Sequence, residues 1–418
     1  PARNDLEDPL SMTLLETGTT VIQALNAQGL GTGKTKKGPV ALPYTLPGEL
    51  VSFDRHRYRG KTNCLLKEII TPSPRRVQAP CPVFTRCGGC LLQHLNEEDY
   101  TAFKEGVLAD QLARHNLTPV VAPMVKIAPG QRRRMTLHLL KKQGKLFLGF
   151  HRFHASQIIA IEACPAVHPT LSALIPAFHQ FLAPTLADHQ KASLSITLGE
   201  NGMDVLFEPD APWKGQDLEA FCANHNIQRF RVHGDTLYLN EIPFVHMGGR
   251  PVEIEAHTFL QASAAADEAL TSLVSAWLAP YKGGKAVDLF CGRGTYTLPL
   301  SAWFEMDGFE SSEDAVSSLK NHLETVFLRD LYNNPLGKKA LRVYQVAVVN
   351  PPRTGLGAQG PHLAQSSLER ICYVSCNPET FAKDALVLCQ GGYDFVKVTA
   401  VDQFPWTPHL EVVGYFEK

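Results

Sequence analysis

The chain has 418 residues, 44% hydrophobic and 19% charged, with a formal net charge of −1. That is ordinary globular composition, long enough for two or three domains. No apolar run approaches the roughly 20 residues of a membrane span and the N-terminus carries no signal pattern, so a cytoplasmic protein without membrane contact is expected.

Residues 1–10 look frayed. From 13 to 70 the chain reads as short strands, with candidates at Val21–Ile22, Val40–Leu42, Leu50–Phe53 and Cys64–Ile70, broken by Gly29, Gly31, Gly33, Pro43, Pro47 and Gly48. This suits a small closed β-barrel. Between Lys34 and Arg76 ten lysines and arginines stand against three carboxylates, an excess of +7 on a nearly neutral chain. Barrels of the OB type grip single-stranded nucleic acid through a charged groove, so residues 1–70 are read as an RNA-binding module, against the plainer reading of a solvated charged face.

Pro72, Ser73, Pro74 and Pro80 form a linker into Cys81-Pro-Val-Phe-Thr-Arg-Cys87-Gly-Gly-Cys90, where two glycines free the backbone to wrap an ion or cluster. Cys164 follows in Glu162-Ala163-Cys164-Pro165. Four thiolates can hold tetrahedral zinc or an iron–sulfur cluster, and spacing alone does not choose. The rest of 71–257 is a mixed α+β region. It has a helical pattern over 97–115 (Tyr100, Phe103, Val107, Leu108, Leu112), strands at Met135–Leu140 and Leu146–Phe150, and helical segments near 170–187 and 216–225. Arg132, Arg133 and Arg134 are either phosphate contacts or a solvated edge.

From about Thr258 helix and strand alternate, the pattern of a parallel sheet. A helix is expected over Ala262–Leu278 and a strand over Gly284–Phe290, closing in Asp288-Leu-Phe-Cys-Gly292-Arg-Gly294. A carboxylate followed by a Gly-x-Gly turn admits a nucleotide-like ligand, and the early Pro299 suits adenosylmethionine better than a dinucleotide. Glu310 ends the next short strand, where a carboxylate can take both ribose hydroxyls, and Asp330 follows a strand over Val326–Arg329, within reach of an adenine amine. A strand over Tyr344–Val349 ends in Asn350-Pro351-Pro352, whose prolines stiffen the backbone and face Asn350 to the substrate.

Ile371 to Cys376 reads as a buried strand, with Asn377 as an N-cap, Pro378 at the first helical position, and Phe381, Ala385 and Leu388 on one helical face. Cys376 therefore sits at a strand's carboxyl end beside a helix N-terminus, a place that lowers a thiol below its usual pKa of about 8.5 and suits a nucleophile. Glu411, starting the last strand beside aromatic residues, is expected to have a raised pKa and act as a base.

Together these pieces resemble the RNA uracil-5 methyltransferase family, in its iron–sulfur branch acting on 23S ribosomal RNA. The motifs that carry the likeness are Leu46-Pro47-Gly48-Glu49, the cysteine cluster leading to Gln93-His94, Phe259-Leu260-Gln261, Asp288 to Gly294, Asn350 to Gly355, Ser375-Cys376-Asn377-Pro378 and His409-Leu410-Glu411. The resemblance implies a TRAM barrel over 1–70, an iron–sulfur domain over 71–257 and a Rossmann-like class I methyltransferase domain over 258–418. It makes Cys376 the nucleophile and Glu411 the base. Gln261, Asp288, Gly292, Gly294, Glu310, Asp330 and Asn350 would line the S-adenosylmethionine site, and Cys81, Cys87, Cys90 and Cys164 would hold a [4Fe-4S] cluster. The protein is expected to work as a monomer on RNA. Asn350 stands where the family usually has Asp; an amide can accept from uracil N3–H and donate to O4, or turn over to serve cytosine. Exocyclic-amine methylation and non-catalytic RNA binding are the competing readings, and neither gives both Cys376 and Glu411 a task.

Overall fold

The computed structural model describes residues 13–58, 61–213, 215 and 217–418, so the expectation of fraying over 1–10 and the basic Arg59 fall outside the described residues. At the N-terminal end lie β1 (Thr13–Val21), β2 (Ala24–Leu25), β3 (Gly31–Thr35), β4 (Gly38–Leu42), β5 (Leu50–Tyr58) and β6 (Lys61–Thr71). They make two antiparallel sheets, β1-β5-β6 and β2-β3-β4, which share a small core of Ile22, Val40, Leu42, Val51 and Phe53. Glu49 ties this unit to the linker: its buried carboxylate accepts from the amides of Leu46 and Ser73 and pairs with Arg76 at 2.7 Å.

The basic excess of this region is smaller than its sequence count, because carboxylates near and far in sequence fold back onto it. Arg55 pairs with Glu16 at 3.1 Å, Lys67 with Asp54 at 3.5 Å, and Arg75 with Glu98 and Asp99 at 2.9 and 2.7 Å. Lys34, Lys36, Lys37 and Arg57 are exposed and have no carboxylate partner among the described residues.

Next come α1 (Glu97–Arg114), capped by the Asn96 side chain, and β7 (Val120–Lys126). A seven-stranded sheet follows, built from β8 (Arg134–Lys142), β9 (Lys145–His151), β10 (Ile158–Ala160), β11 (Lys191–Leu198), β12 (Met203–Pro209), β13 (Ile227–Val232) and β14 (Asp235–Leu239). Its order is β10-β9-β8-β11-β12-β13-β14. Alternation along β8 buries Met135, Leu137 and Leu139 against α2 (Pro169–Leu182), whose Leu171, Leu174, Ile175 and Phe178 face the sheet. Helix α3 (Leu218–Asn224) joins the same core through Cys222, and a hairpin of β15 (Phe244–Met247) and β16 (Arg250–Glu253) leads out of it.

The last part alternates α4 (Ala264–Leu278), β17 (Lys285–Leu289), α5 (Thr297–Leu300), β18 (Glu305–Glu310), α6 (Glu313–Lys320), β19 (Val326–Leu328), α7 (Lys338–Leu341), β20 (Val346–Val349), α8 (Gln359–Ala364), β21 (Arg370–Ser375), α9 (Pro378–Gln390), β22 (Asp394–Asp402) and β23 (Glu411–Glu417). The sheet order is β19-β18-β17-β20-β21-β23-β22-β7, parallel except around antiparallel β23. Chain order reverses between β17 and β20, which opens the ligand crevice of such sheets beyond their carboxyl ends. The outer strand β7 and its preceding helix α1 come from the stretch read as central: β7 pairs in parallel with β22, and α1 supplies Leu108 and Leu112 to the core beneath α9.

Two expected strands are shorter than read. The Tyr344 amide still donates to the Leu341 carbonyl of the preceding turn, and β20 begins at Val346; β19 stops at Leu328. No helix among the described residues is long and apolar enough to cross a membrane.

Phe381, fully buried between Tyr373 and Phe416, anchors α9 to the sheet. Phe381→Ala should cost about 3–5 kcal/mol in urea unfolding; a loss below about 1 kcal/mol would mean that α9 is held by other contacts.

Candidate active site

The crevice is built from chain ends that meet at the carboxyl edge of the last sheet. At the end of β17, Phe290 takes φ +63° and the turn runs through Gly292 (φ +55°) and Gly294 (φ +98°). A Cβ on Gly292 would meet nothing within 4 Å, whereas one on Gly294 would strike Leu319 and Leu298. Gly292 thus borders open space, and Gly294 allows close helix packing. Asp288 is fully buried; its Oδ2 accepts from the Thr297 hydroxyl at 2.6 Å while Oδ1 has no partner among the described residues. Burial pushes its pKa to about 7, the Thr297 bond opposing and the Glu310 charge adding to the rise.

Glu310 closes the turn from the next strand. One carboxylate oxygen accepts from the Gly292 amide at 3.0 Å, the other from the amides of Ser311 and Ser312 at 2.7 and 2.9 Å. Asp330 behaves differently. It is exposed and accepts from the Tyr332 and Asn333 amides and the Asn333 side chain, capping its own turn, and these bonds lower its pKa.

Opposite stands a buried amide chain. Gln403 Nε2 donates to Glu411 Oε2 at 2.8 Å and to Gln261 Oε1 at 2.9 Å, while Gln403 Oε1 accepts from the Ala262 amide at 3.0 Å. Gln261 Nε2 and the nearby Tyr296 hydroxyl are buried without a bond of good geometry among the described residues. Together with Asp288 Oδ1 they form a set of unsatisfied polar atoms that a polar ligand would complete. Burial raises the Glu411 pKa to about 7, against the Gln403 bond, which lowers it. The expected rise is therefore present, and desolvation is its cause.

Cys376 is half-buried at the end of β21, where Asn377 caps α9 by accepting from the Glu379 amide. The Asn377 side-chain amide and Thr380 hydroxyl both donate to the Arg353 carbonyl, at 3.0 and 3.2 Å, fastening the Asn350–Gly355 loop to the thiol's turn. The anticipated drop in thiol pKa is absent. Burial, then the Glu411 charge, pushes Cys376 up to about 11, and Arg353 pulls only weakly the other way. A helix terminus acts over its first turn, and here desolvation is larger. Asn350, half-buried one position past the Val349–Tyr373 pairing, makes no side-chain hydrogen bond among the described residues.

Cys81, Cys87, Cys90 and Cys164 line one cavity of about 440 Å³ together with Arg132, Gln403 and His409, so it adjoins the Glu411 network. No three His, Cys, Asp or Glu side chains among the described residues are grouped to hold a single ion. Burial pushes Cys90 to about 12, with the other three thiols adding to it and Gln93 opposing. The arginine run divides: Arg133 is buried and paired with Asp267, Arg134 donates to the Thr258 carbonyl, and Arg132 lies beside Cys164 and Cys90.

Gln403 and Tyr296 were not singled out from the sequence. Gln403 meets Glu411 across a loop of no fixed period, and an aromatic inside a Gly-rich turn reads as packing, so no sequence signal pointed to either.

The profile of the tRNA (uracil-5-)-methyltransferase family matches residues 334–418. A Caulobacter vibrioides relative described as an uncharacterized RNA methyltransferase is 36% identical over 95% of this chain and 99% of its own length. A 23S rRNA (uracil(1939)-C(5))-methyltransferase of Vibrio parahaemolyticus is 28% identical over 98% of both chains. Among solved structures, the Pyrococcus abyssi tRNA (uracil-54, C5)-methyltransferase, crystallised with S-adenosyl-L-homocysteine, shares the fold with a TM-score of 0.74 at 23% identity, covering 96% of this chain and 100% of that one.

The raised Glu411 pKa has a measurable consequence. The unfolded carboxyl ionises near 4.5 and the folded one near 7, so between these values the folded state holds the extra proton and stability falls as pH rises. Glu411→Gln should therefore be more stable than the wild type at pH 8, by up to about 3 kcal/mol, and equal to it at pH 4. Urea titrations at both pH values check this, and equal stability at pH 8 would place the carboxyl in water.

Proposed function

The chain belongs to the RNA uracil-5 methyltransferase family, and from that premise we propose that it transfers a methyl group from S-adenosylmethionine to C5 of a uridine in 23S ribosomal RNA. The observation that carries this reading is a half-buried thiol near enough to a buried carboxyl of pKa about 7 to feel its charge, beside buried polar atoms left without partners among the described residues. Asp288, Gly292, Gly294, Glu310 and Gln261 would hold the methyl donor, which supplies an electrophilic methyl on a sulfonium. Asp330 is the weakest member of this set, since its carboxylate is already occupied by its own turn.

Uracil C5 is too weak a nucleophile to take the methyl unaided. Cys376 as thiolate adds to C6, forming the C–S bond and moving an electron pair toward C5 and O4. The Asn350 side chain, which makes no hydrogen bond among the described residues, can donate to O4, where that charge develops, and accept from N3–H. C5 takes the methyl in line and becomes tetrahedral. Glu411 then removes the C5 proton, the C5–C6 double bond re-forms and the C6–S bond breaks, returning the thiolate. A carboxyl of pKa about 7 suits this task, being a stronger base than an ordinary Glu and still ionised in part at neutral pH. Arg353 and the cationic donor are the charges that favour the thiolate, so ionisation of Cys376 awaits the assembled site.

Residues 1–70 would grip RNA, 71–257 would carry the cysteine site and 258–418 would transfer the methyl group, with α1 and β7 lent to the last. One chain supplies every residue named, so a monomer suffices. The four cysteines would hold a [4Fe-4S] cluster, a reading supported by their lining one cavity. The cluster has no part in the steps above. Protein prepared without oxygen should carry iron and acid-labile sulfide and lose both in Cys87→Ser; zinc without iron would overturn the assignment.

The reaction is tested with labelled S-adenosylmethionine and 23S ribosomal RNA lacking modifications, digested to nucleosides. 5-Methyluridine is the expected product; 5-methylcytidine would show that the Asn350 amide is turned over, and label on transfer RNA alone would move the substrate. Cys376→Ala should yield neither product nor adduct. Glu411→Gln should accumulate a methylated protein–RNA species that survives denaturation and maps to Cys376. An adduct on Cys372 or Cys389 would refute the assignment of the nucleophile.

A further inference from the structure

We propose that Tyr100 and Lys104 of α1 are positioning residues for Glu411, acting through the loop from Gln403 to Leu410; this rests on the reading of Glu411 as the acceptor of the C5 proton. Glu411 has one side-chain hydrogen-bond partner among the described residues, Gln403. Gln403 directly follows β22 and Glu411 opens β23, strands that pair as Val401↔Glu411, so the ladder sets their spacing and the shape of the loop between them sets how the Gln403 amide is presented to the carboxylate.

That shape is imposed from α1, some 300 positions earlier in the chain. The buried Lys104 ammonium donates to Asp402 Oδ1 at 2.7 Å, to the Phe404 carbonyl at 3.4 Å and to the His409 carbonyl at 2.5 Å, gripping the loop at both ends. Tyr100 holds its middle. The hydroxyl donates to Asp402 Oδ2 at 2.5 Å and accepts from the Trp406 amide at 3.0 Å. All three ammonium donors of Lys104 are thereby used. None remains for substrate, so the residue acts by position. Leu91 and Leu92, directly after Cys90, both donate to the Trp406 carbonyl at 2.9 and 3.0 Å, so the cysteine segment braces the same point from the other side.

The consequence falls on one step. Cys376 hangs from β21 and its own cap, independent of this loop, so addition to C6 should not depend on Tyr100. Removal of the C5 proton should, because Gln403 orients the Glu411 carboxylate.

Tyr100→Phe tests this while keeping the ring and the Lys104–Asp402 pair. In single turnover with labelled S-adenosylmethionine and unmodified 23S ribosomal RNA, the denaturation-resistant methylated adduct is followed beside wild type and Glu411→Gln. The variant's adduct should form at the wild-type rate and decay about tenfold more slowly or worse, with unchanged donor affinity. If Glu411→Gln stalls while Tyr100→Phe decays as the wild type does, the positioning role is wrong and the base assignment stands. Slowing of formation and decay alike would make Tyr100 a general scaffold and equally overturn the proposal. Release of product by Glu411→Gln at the wild-type rate would remove the base assignment on which the proposal rests.

Discussion

The buried pair between Lys104 and Asp402 is the constraint on which the rest of the site depends. Both side chains are almost wholly excluded from water, and breaking such a pair by removing one partner costs about 3–5 kcal/mol because the survivor is left uncompensated. Burial lowers the Lys104 pKa, and Asp402 acts against that. The fold uses this sensitivity: an irregular loop that would otherwise sample many shapes is held by a contact that cannot be half made. It also explains why α1 belongs with the last sheet although it precedes the whole seven-stranded sheet in the chain.

The electrostatics of the crevice follow from exclusion of water more than from fixed charges. Asp288 and Glu411 are buried carboxyls with pKa values near 7, and no cation among the described residues is paired with either. Each is tempered by one neutral donor, Thr297 for Asp288 and Gln403 for Glu411. A neutral donor fixes a carboxylate's direction without holding it ionised as a guanidinium would. The site contrasts with Arg133 and Asp267 close by, where a full ion pair serves structure.

What was legible in the sequence was local. The strand, cap and helix around Cys376 could be read because β-branched runs, Asn-Pro and helical spacing are short-range signals, and they appear as β21, Asn377 and α9. The Gly-x-Gly turn and the glutamate beginning the last strand were visible for the same reason. Hidden features depend on distant contacts. The +7 excess could be counted, but its partial offset by Glu16, Glu98 and Asp99 from outside the counted stretch could not be foreseen. Residue type alone suggested a helix-lowered thiol, whereas the depth of Cys376 beside Glu411 reversed the direction. Asp330 read as a ligand contact from its place after a strand, and the bonds it accepts from the Tyr332 and Asn333 amides were not legible there. The middle stretch looked continuous, yet β7 crosses to another sheet, a choice made by pairing with β22 that periodicity does not encode.

The high pKa of Cys376 bears on how the protein survives between turnovers. Oxidants such as peroxides attack thiolates far faster than thiols, and sulfinic or sulfonic products are irreversible. With a pKa of about 11 the resting side chain is almost entirely protonated at neutral pH. A nucleophile kept permanently ionised would be consumed by such chemistry; in the proposed reaction Cys376 would ionise only when its substrates close around it and be shielded by its own reluctance.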